Sequence, residues 1–306
     1  MGTFLLRRAA TLVPVLLGVL TAVFLLIHLI PGDPVEIMLG EAALPADREH
    51  LRQQLHLDDP LPVQYVRYLT GAVTGDLGTS LHSGRPVWQV VTERLPATGI
   101  LTLAAMLVAL SVALPLGLLC ARYKGGAVDN GSMVAALVGV SMPNFWLGPL
   151  LMLAFSVNLG WLPLGGFDGP SSLILPAITL GTAMAAILTR MIRASLLESM
   201  EQDYVRTALA KGLSRGQALM RHVLANALIP VITVIGLQFG ALLAGAIITE
   251  TIFSWPGLGR LTVEAIQTRD YPVVQGCVMV ICLSYLLANL LTDLCYAAAD
   301  PRIRLK

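Results

Sequence analysis

The chain has 306 residues, of which 56% are hydrophobic and only 13% charged, with a formal net charge of +1. With several apolar runs near the ~20 residues that a bilayer requires, this composition excludes an ordinary soluble globule and points to an all-α polytopic membrane protein, with lipid as its surroundings. The near-zero net charge argues against nucleic acid as a partner.

The first span is expected at residues 9–30, behind Arg7 and Arg8 and ending at Pro31-Gly-Asp-Pro. This run is longer than the apolar core of a cleavable signal and no small-residue cleavage site follows it, so a retained helix is expected. Residues 31–98 form an outer region with helical patterns at 47–57, where Leu51 and Leu55 share a face, at 63–73, and at 87–95 leading into the second span. Turn signals at Asp58-Asp-Pro and Gly75-Asp-Leu-Gly separate these patterns, giving a small helical cap.

Further spans are expected at 99–121, 132–159, 173–191, 227–248 and 276–298, each able to cross about 30 Å of hydrocarbon. This divides the chain into an N-terminal segment with the first span (1–30), the cap (31–98), a five-helix core (99–298) and a tail (299–306). Six spans place both termini on one side. With the N-terminus cytoplasmic, 13 of the 20 basic residues lie inside, and five of the other seven sit in the long outer loop, which discounts them. The reading is therefore a multi-pass protein of a prokaryotic plasma (inner) membrane with both termini cytoplasmic. Cys120, Cys277, Cys282 and Cys295 all fall inside expected spans, as buried apolar side chains rather than a disulfide framework.

Two polar segments interrupt the core. Residues 200–224 form a charged stretch between apolar runs. A helix from Tyr204 to Lys211 is stopped by Gly212, and Ser214 with Gln217 makes a capping-box start for a second helix, so a helix-turn-helix elbow on the cytoplasmic side is expected. Residues 250–271 are too polar for lipid contact yet hold Ile252, Phe253, Trp255 and Leu258 around Pro256-Gly257, which suits a re-entrant or interfacial segment packed on the protein.

Polar groups at membrane depth face a bundle interior or a water-filled path. Asn144, Gln238 and Glu250 are candidates for such a path or a gate. The competing readings are a helix-to-helix hydrogen bond beside Pro143 for Asn144, and an interfacial ion pair with Arg260 or Arg269 for Glu250. Asp293, near the inner end of the last span, suits snorkelling toward water. No spacing defines a catalytic residue, and His50, His56 and His82 lack chelating spacing, so no metal site is expected.

A phosphate-binding P-loop needs a Gly-Lys-Ser or Gly-Lys-Thr sequence. The three lysines, Lys124, Lys211 and Lys306, follow Tyr123, Ala210 and Leu305. The chain binds no cofactor by this reading, and ATP-driven transport would require a separate motor polypeptide. The elbow could meet such a motor, or it could be an ordinary basic inner loop that only fixes topology.

The elbow resembles the coupling motif of binding-protein-dependent ABC transporter permeases, in the variant of the dipeptide, oligopeptide and nickel importer subfamily. The matching residues are Asp203-Tyr-Val-Arg-Thr-Ala-Leu-Ala-Lys-Gly-Leu213 and Arg221-His-Val-Leu-Ala-Asn-Ala-Leu-Ile-Pro230. Similar stretches run through the chain: Ile30-Pro-Gly-Asp-Pro34, Gly75-Asp-Leu-Gly78, Arg94-Leu-Pro-Ala-Thr98, Ser141-Met-Pro-Asn-Phe-Trp146, Glu250-Thr-Ile-Phe-Ser-Trp-Pro-Gly-Leu-Gly259, Arg269-Asp-Tyr-Pro272 and Asp300-Pro-Arg-Ile-Arg304. Where the broad permease pattern has Glu-Ala-Ala, this chain has Arg206, Thr207 and Ala208.

The resemblance implies a non-catalytic permease forming half of a translocation path. Its partners would be a second homologous permease, two cytoplasmic ATPase subunits that hold ATP-Mg, and an extracytoplasmic solute-binding protein docking on the cap. It also implies that Ala208, Lys211, Gly212 and Leu213 sit at the ATPase-coupling turn. The default cargo it implies is a dipeptide or oligopeptide, with chelated nickel or a glutathione-like molecule as alternatives. A stand-alone secondary transporter is the rival of another class, but mid-span carboxylates and an internal repeat are not evident.

Overall fold

The computed structural model describes residues 2–28, 34–40, 44–54 and 57–299, and their regular structure is helical apart from one isolated antiparallel bridge between Thr79 and Pro86. The expected turn at Pro31-Gly-Asp, the positions Leu55 and His56, and the tail from Asp300 lie outside the described residues, as do the side chains of Arg7, Arg8, Leu51 and Cys295. In chain order the α-helices are α1 (Gly2–His28), α2 (Pro34–Leu39), α3 (Pro45–Gln54), α4 (Leu61–Thr74), α5 (Val87–Arg122), α6 (Ala127–Ser141), α7 (Asn144–Leu151), α8 (Ile174–Met200), α9 (Asp203–Ala210), α10 (Arg215–Ala218), α11 (Leu224–Gly245), α12 (Ile247–Ile252), α13 (Leu258–Gln267) and α14 (Tyr271–Ala299).

Three helical segments, Val87–Arg122, Pro170–Met200 and Tyr271–Leu294, are long and apolar enough to cross a bilayer. Counting each bent pair, Ala127–Ser141 with Asn144–Asn158 and Arg215–Leu228 with Pro230–Leu243, as one span gives up to five among the described residues, and α1 carries the shorter apolar stretch Thr11–Leu25. The chain is an all-helical polytopic membrane protein.

The run 132–159, expected as one span, is broken. Its halves meet at 100°, because Pro143 has no N–H to continue the ladder and drives Met142 to an extended conformation (φ −86°, ψ 113°). Beyond α7 the chain widens into a π-helical turn, Met152–Asn158. The run 227–248 is likewise bent by 47° around Pro230.

The chain divides into two compact units. One comprises the described residues up to Thr98 together with Pro256–Ser284. Its core joins Leu20 of α1, Val87 and Val91 of α5, Leu258, Leu261 and Ala265 of α13, and Val273 and Cys277 of α14. Gly276 faces Val87 and Val91, where a Cβ would come within 2.5 Å of the Val87 side chain. Helix α4 packs on α1 through Phe24, whose ring centroid lies 5.2 Å from Tyr65 and 5.8 Å from Tyr68, and through a 2.6 Å hydrogen bond between the Thr21 and Tyr65 hydroxyls. The Leu258 N–H donates to Thr98 Oγ1 at 2.8 Å, tying the start of α13 to α5.

A short hairpin at 79–86 is pinned to the corner between α13 and α14. Ser80 Oγ donates to the buried Asp270 carboxylate at 2.6 Å, and the His82 ring lies 2.8 Å from the Thr268 carbonyl. Asp270 also accepts weakly from the Val273 N–H in the first turn of α14.

The other unit comprises Gly99–Trp255 and the part of α14 from Tyr285. Helix α8 is its centre. Gly117 on α5 and Gly181 on α8 let those two helices approach, since a Cβ on Gly117 would meet Ile192 at 2.6 Å and one on Gly181 would meet the Ala105 carbonyl at 2.8 Å. Helix α11 carries Gly236 and Gly240 four residues apart, facing Thr292, Tyr285 and Asn289 of α14, and a Cβ on Gly236 would fall inside the Thr292 side chain. Small residues at this spacing are what allow close helix packing where lipid is as apolar as the protein.

Phe253 and Trp255, each 1% exposed, close the end of α12. The Gly166 N–H donates to the Phe253 carbonyl at 2.9 Å, and the rings of Phe167 and Trp255 meet edge to face at 4.8 Å. Gly148 of α7 lies against the Phe253 ring.

The Tyr68 hydroxyl is buried without a hydrogen-bond partner among the described residues, and that burial pushes its pKa up to about 12. Tyr68→Phe should therefore leave stability unchanged or raise it by about 1–2 kcal/mol, read as the thermal midpoint of the purified protein. Gly236→Ala should lower stability by about 1–3 kcal/mol in the same measurement, because the β-branched Thr292 cannot swing aside.

Candidate functional site

The elbow is built from local signals. Gln202, in an extended conformation (φ −73°, ψ 150°), precedes α9, and Asp203 places a carboxylate in its first turn, where the helix dipole favours it. Val205 and Ala208, three residues apart, form the buried face, while Tyr204, Arg206 and Thr207 are exposed. The helix then ends in a Schellman motif. The Gly212 N–H donates to Leu209 O at 3.0 Å and the Leu213 N–H to Ala208 O at 3.3 Å, with Gly212 in the left-handed region at φ +91°.

The turn leaves Lys211 and Gly212 exposed and tucks Leu213 partly back toward Ala208. Ser214 starts α10 at once through a reciprocal capping box: its Oγ accepts from the Gln217 N–H at 3.3 Å and its own N–H donates to Gln217 Oε1 at 3.0 Å. The segment from α9 to α10 thus has both of its ends satisfied. A π-helical turn, Leu219–Val223, with Leu219 and Val223 buried, leads into α11.

Two ties hold the helices that flank this elbow. Ser195 Oγ, near the end of α8, donates to the Ala227 carbonyl of α11 at 2.6 Å. Arg193, also on α8, grips Asp129 of α6 with both prongs, Nε to Oδ1 at 2.5 Å and Nη2 to Oδ2 at 2.7 Å. Asp129 is 1% exposed and also accepts the Gly125 N–H at 2.8 Å, which closes the turn between α5 and α6. The pairs Lys124 with Glu201 (3.6 Å) and Arg206 with Asp203 (3.4 Å) are exposed by comparison.

The candidate path residues are not brought together with the elbow turn. Asn144 is the first residue of α7, half-buried at the 100° bend, and its side chain makes no hydrogen bond among the described residues. Gln238 is half-buried on α11 between Gly236 and Gly240. Glu250 is fully buried on α12, with its carbonyl accepting the Trp255 N–H at 2.8 Å. Arg260 Nε donates to Glu264 on its own helix at 2.7 Å. Among the described residues no cluster of three or more His, Cys, Asp or Glu side chains is placed to hold a metal.

Such an arrangement offers no nucleophile and base in register. It presents an exposed turn, closed by hydrogen bonds at both ends and carried by two helices that are themselves tied together. Residues 113–305 match the inner membrane component of binding-protein-dependent transport systems, and residues 1–102 match the N-terminal membrane component of such systems. The chain belongs to this family. It is a multi-pass inner-membrane permease subunit and not an enzyme.

This permease is 46% identical over 306 residues to the glutathione transport system permease protein GsiC of Pectobacterium atrosepticum, with 100% of each chain covered. It is 43% identical over 335 residues to the dipeptide transport system permease protein DppB of Escherichia coli K12, with 99% of each covered. Among solved structures, an inward-facing form of the MetNI methionine ABC transporter superposes with a TM-score of 0.59 at 18% identity, covering 69% of this permease and 97% of that chain, a likeness of fold.

The Asp129–Arg193 pair carries no recognisable motif in the sequence. The available signal was a lone acid just after Gly125-Gly126, at the start of an apolar run. The Gly236-x-x-x-Gly240 spacing was also legible as a helix-packing motif and was missed.

A Cβ on Gly212 would meet no atom within 4 Å, so the conformation alone sets the cost of filling that position. Gly212→Ala should destabilise the elbow by about 1–2 kcal/mol and Gly212→Asn by less, measured as amide-exchange protection over residues 203–218.

Proposed function

We propose that this permease forms half of the translocation path of an ATP-driven importer of short peptides. In this reading it pairs with a second, related permease. Two ATPase subunits holding ATP-Mg engage the turn at Ala208, Lys211, Gly212 and Leu213, and a solute-binding protein delivers cargo to the opposite face at the cap. The observation that carries it is the elbow: an exposed turn closed at both ends, mounted on α8 and α11, in a chain that lacks a lysine able to cradle nucleotide phosphates. A short helix so braced passes on displacement without absorbing it, which alternating access requires.

The cargo is read from chemistry common to the relatives. One is named for a dipeptide and another for glutathione, and both are peptides of two or three residues. The likeness over the full chain supports that size class, and the binding protein then selects between them. Asn144, Gln238 and Glu250 are the residues assigned to the path or its gate, an assignment that the burial of Glu250, a charged group away from solvent, supports.

The test is reconstitution of the permease with its co-expressed neighbours in liposomes, supplied with labelled dialanine or glutathione. Uptake should require the binding protein and Mg-ATP together. Accumulation of peptide by this chain without ATPase subunits would overturn the assignment. In the same system Gly212→Pro removes the N–H that donates to Leu209 and forbids φ +91°. Membrane insertion should persist while ATP hydrolysis no longer yields matching uptake.

A further inference from the structure

We infer that the Asp129–Arg193 pair is a positioning clamp that makes α6 travel with α8, so that displacement at the elbow reaches the bend between α6 and α7. This rests on the elbow being the motor contact.

Arg193 lies within the last three turns of α8, ahead of the elbow at Asp203, and Ser195 ties the same stretch of α8 to α11. Asp129 lies in the first turn of α6. The fork-to-carboxylate geometry fixes angle as well as distance, since both guanidinium contacts and the Gly125 N–H converge on one buried carboxylate. Farther along, a Cβ on Gly139 of α6 would meet Ala186 and Thr182 of α8 at ordinary contact distance, so the two helices lie side by side there. The two helices are therefore matched along their length and locked at one end.

Helix α6 ends at the 100° bend, after which α7 lays Gly148 against Phe253 beside the buried Glu250. A rigid α6–α8 pair turns a push on the elbow into a change at that bend. Without the clamp, α8 can shift and leave α6 behind.

Energetics favour geometry over stability as the role of the pair. With the Asp129 carboxylate buried and Arg193 half-buried, the pair is weak evidence for net stability, because a well-packed apolar pair of similar volume commonly does as well, whereas removing Arg193 strands the carboxylate. That difference supplies the test. The whole complex is reconstituted with Asp129→Leu combined with Arg193→Met, and separately with Arg193→Lys, which keeps the charge but loses the fork.

The double variant should assemble and melt like the parent, while dialanine or glutathione carried per ATP hydrolysed falls by about two- to thirtyfold. Arg193→Lys should fall between. Parental uptake per ATP in either variant would show the pair to be packing alone and overturn the inference. A second measurement does not depend on cargo. Spin labels on the exposed positions Val128 of α6 and Glu198 of α8 should keep one separation with and without ATP in the parent and separate on nucleotide addition in the double variant. A parental separation that changes with nucleotide would overturn the clamp whether or not either peptide is transported. Absence of ATP-dependent uptake in the parent would instead strike the importer reading.

Discussion

A helix end leaves carbonyls without partners inside the helix, and in a membrane protein packed from short helical pieces a turn that closes back on them supplies the missing bonds. Four of the described helix ends use one closure. At Gly71 to Asp76, Ala208 to Leu213, Glu250 to Trp255 and Ala265 to Asp270, the N–H five residues on returns to the first carbonyl, and the residue before it takes a left-handed φ. Gly75 and Gly212 do so without steric cost. Ser254 (φ 52°) and Arg269 (φ 57°) each carry about 1–2 kcal/mol of local strain. That strain is offset by what the turn delivers: Trp255 into a pocket with Phe167, and Asp270 onto Ser80 and the start of α14.

The same scarcity of driving force shapes packing. Lipid tails are as apolar as leucine, so helices adhere by approach rather than by escape from water. Helix α8 receives α5 at Gly117 and Gly181, α6 at Gly139, and α11 through the Ser195 hydroxyl. Asp129 with Arg193 is the charged member of this set, its carboxylate buried where it would be costly left unpaired.

What the sequence revealed and what it hid follow from range. The elbow was legible to within a residue, its first helix expected at 204–211 and observed at 203–210, because glycine at a helix stop and serine three before glutamine are local signals. Pro143 marked a kink, but the size of the bend depends on α7 finding Phe253, about a hundred residues away in sequence. Ser254 and Arg269 gave no sign of left-handed backbone, since composition flags that conformation mainly at glycine and asparagine. The Asp129–Arg193 pair spans 64 residues and the Ser80–Asp270 contact spans 190, and no periodicity encodes either.

That last contact also orders events in time. Ser80 leaves the ribosome long before its acceptor exists: at about 5–20 residues per second, Asp270 follows some 10–40 seconds later. Until then the hairpin at 79–86 has no anchor, and the carboxylate that will cap α14 has not been made. The hairpin at 79–86 is thus anchored from the far end of the chain, after the elbow has already been synthesised. A nascent protein that stalls before its last span would carry a finished elbow and a hairpin still without its acceptor.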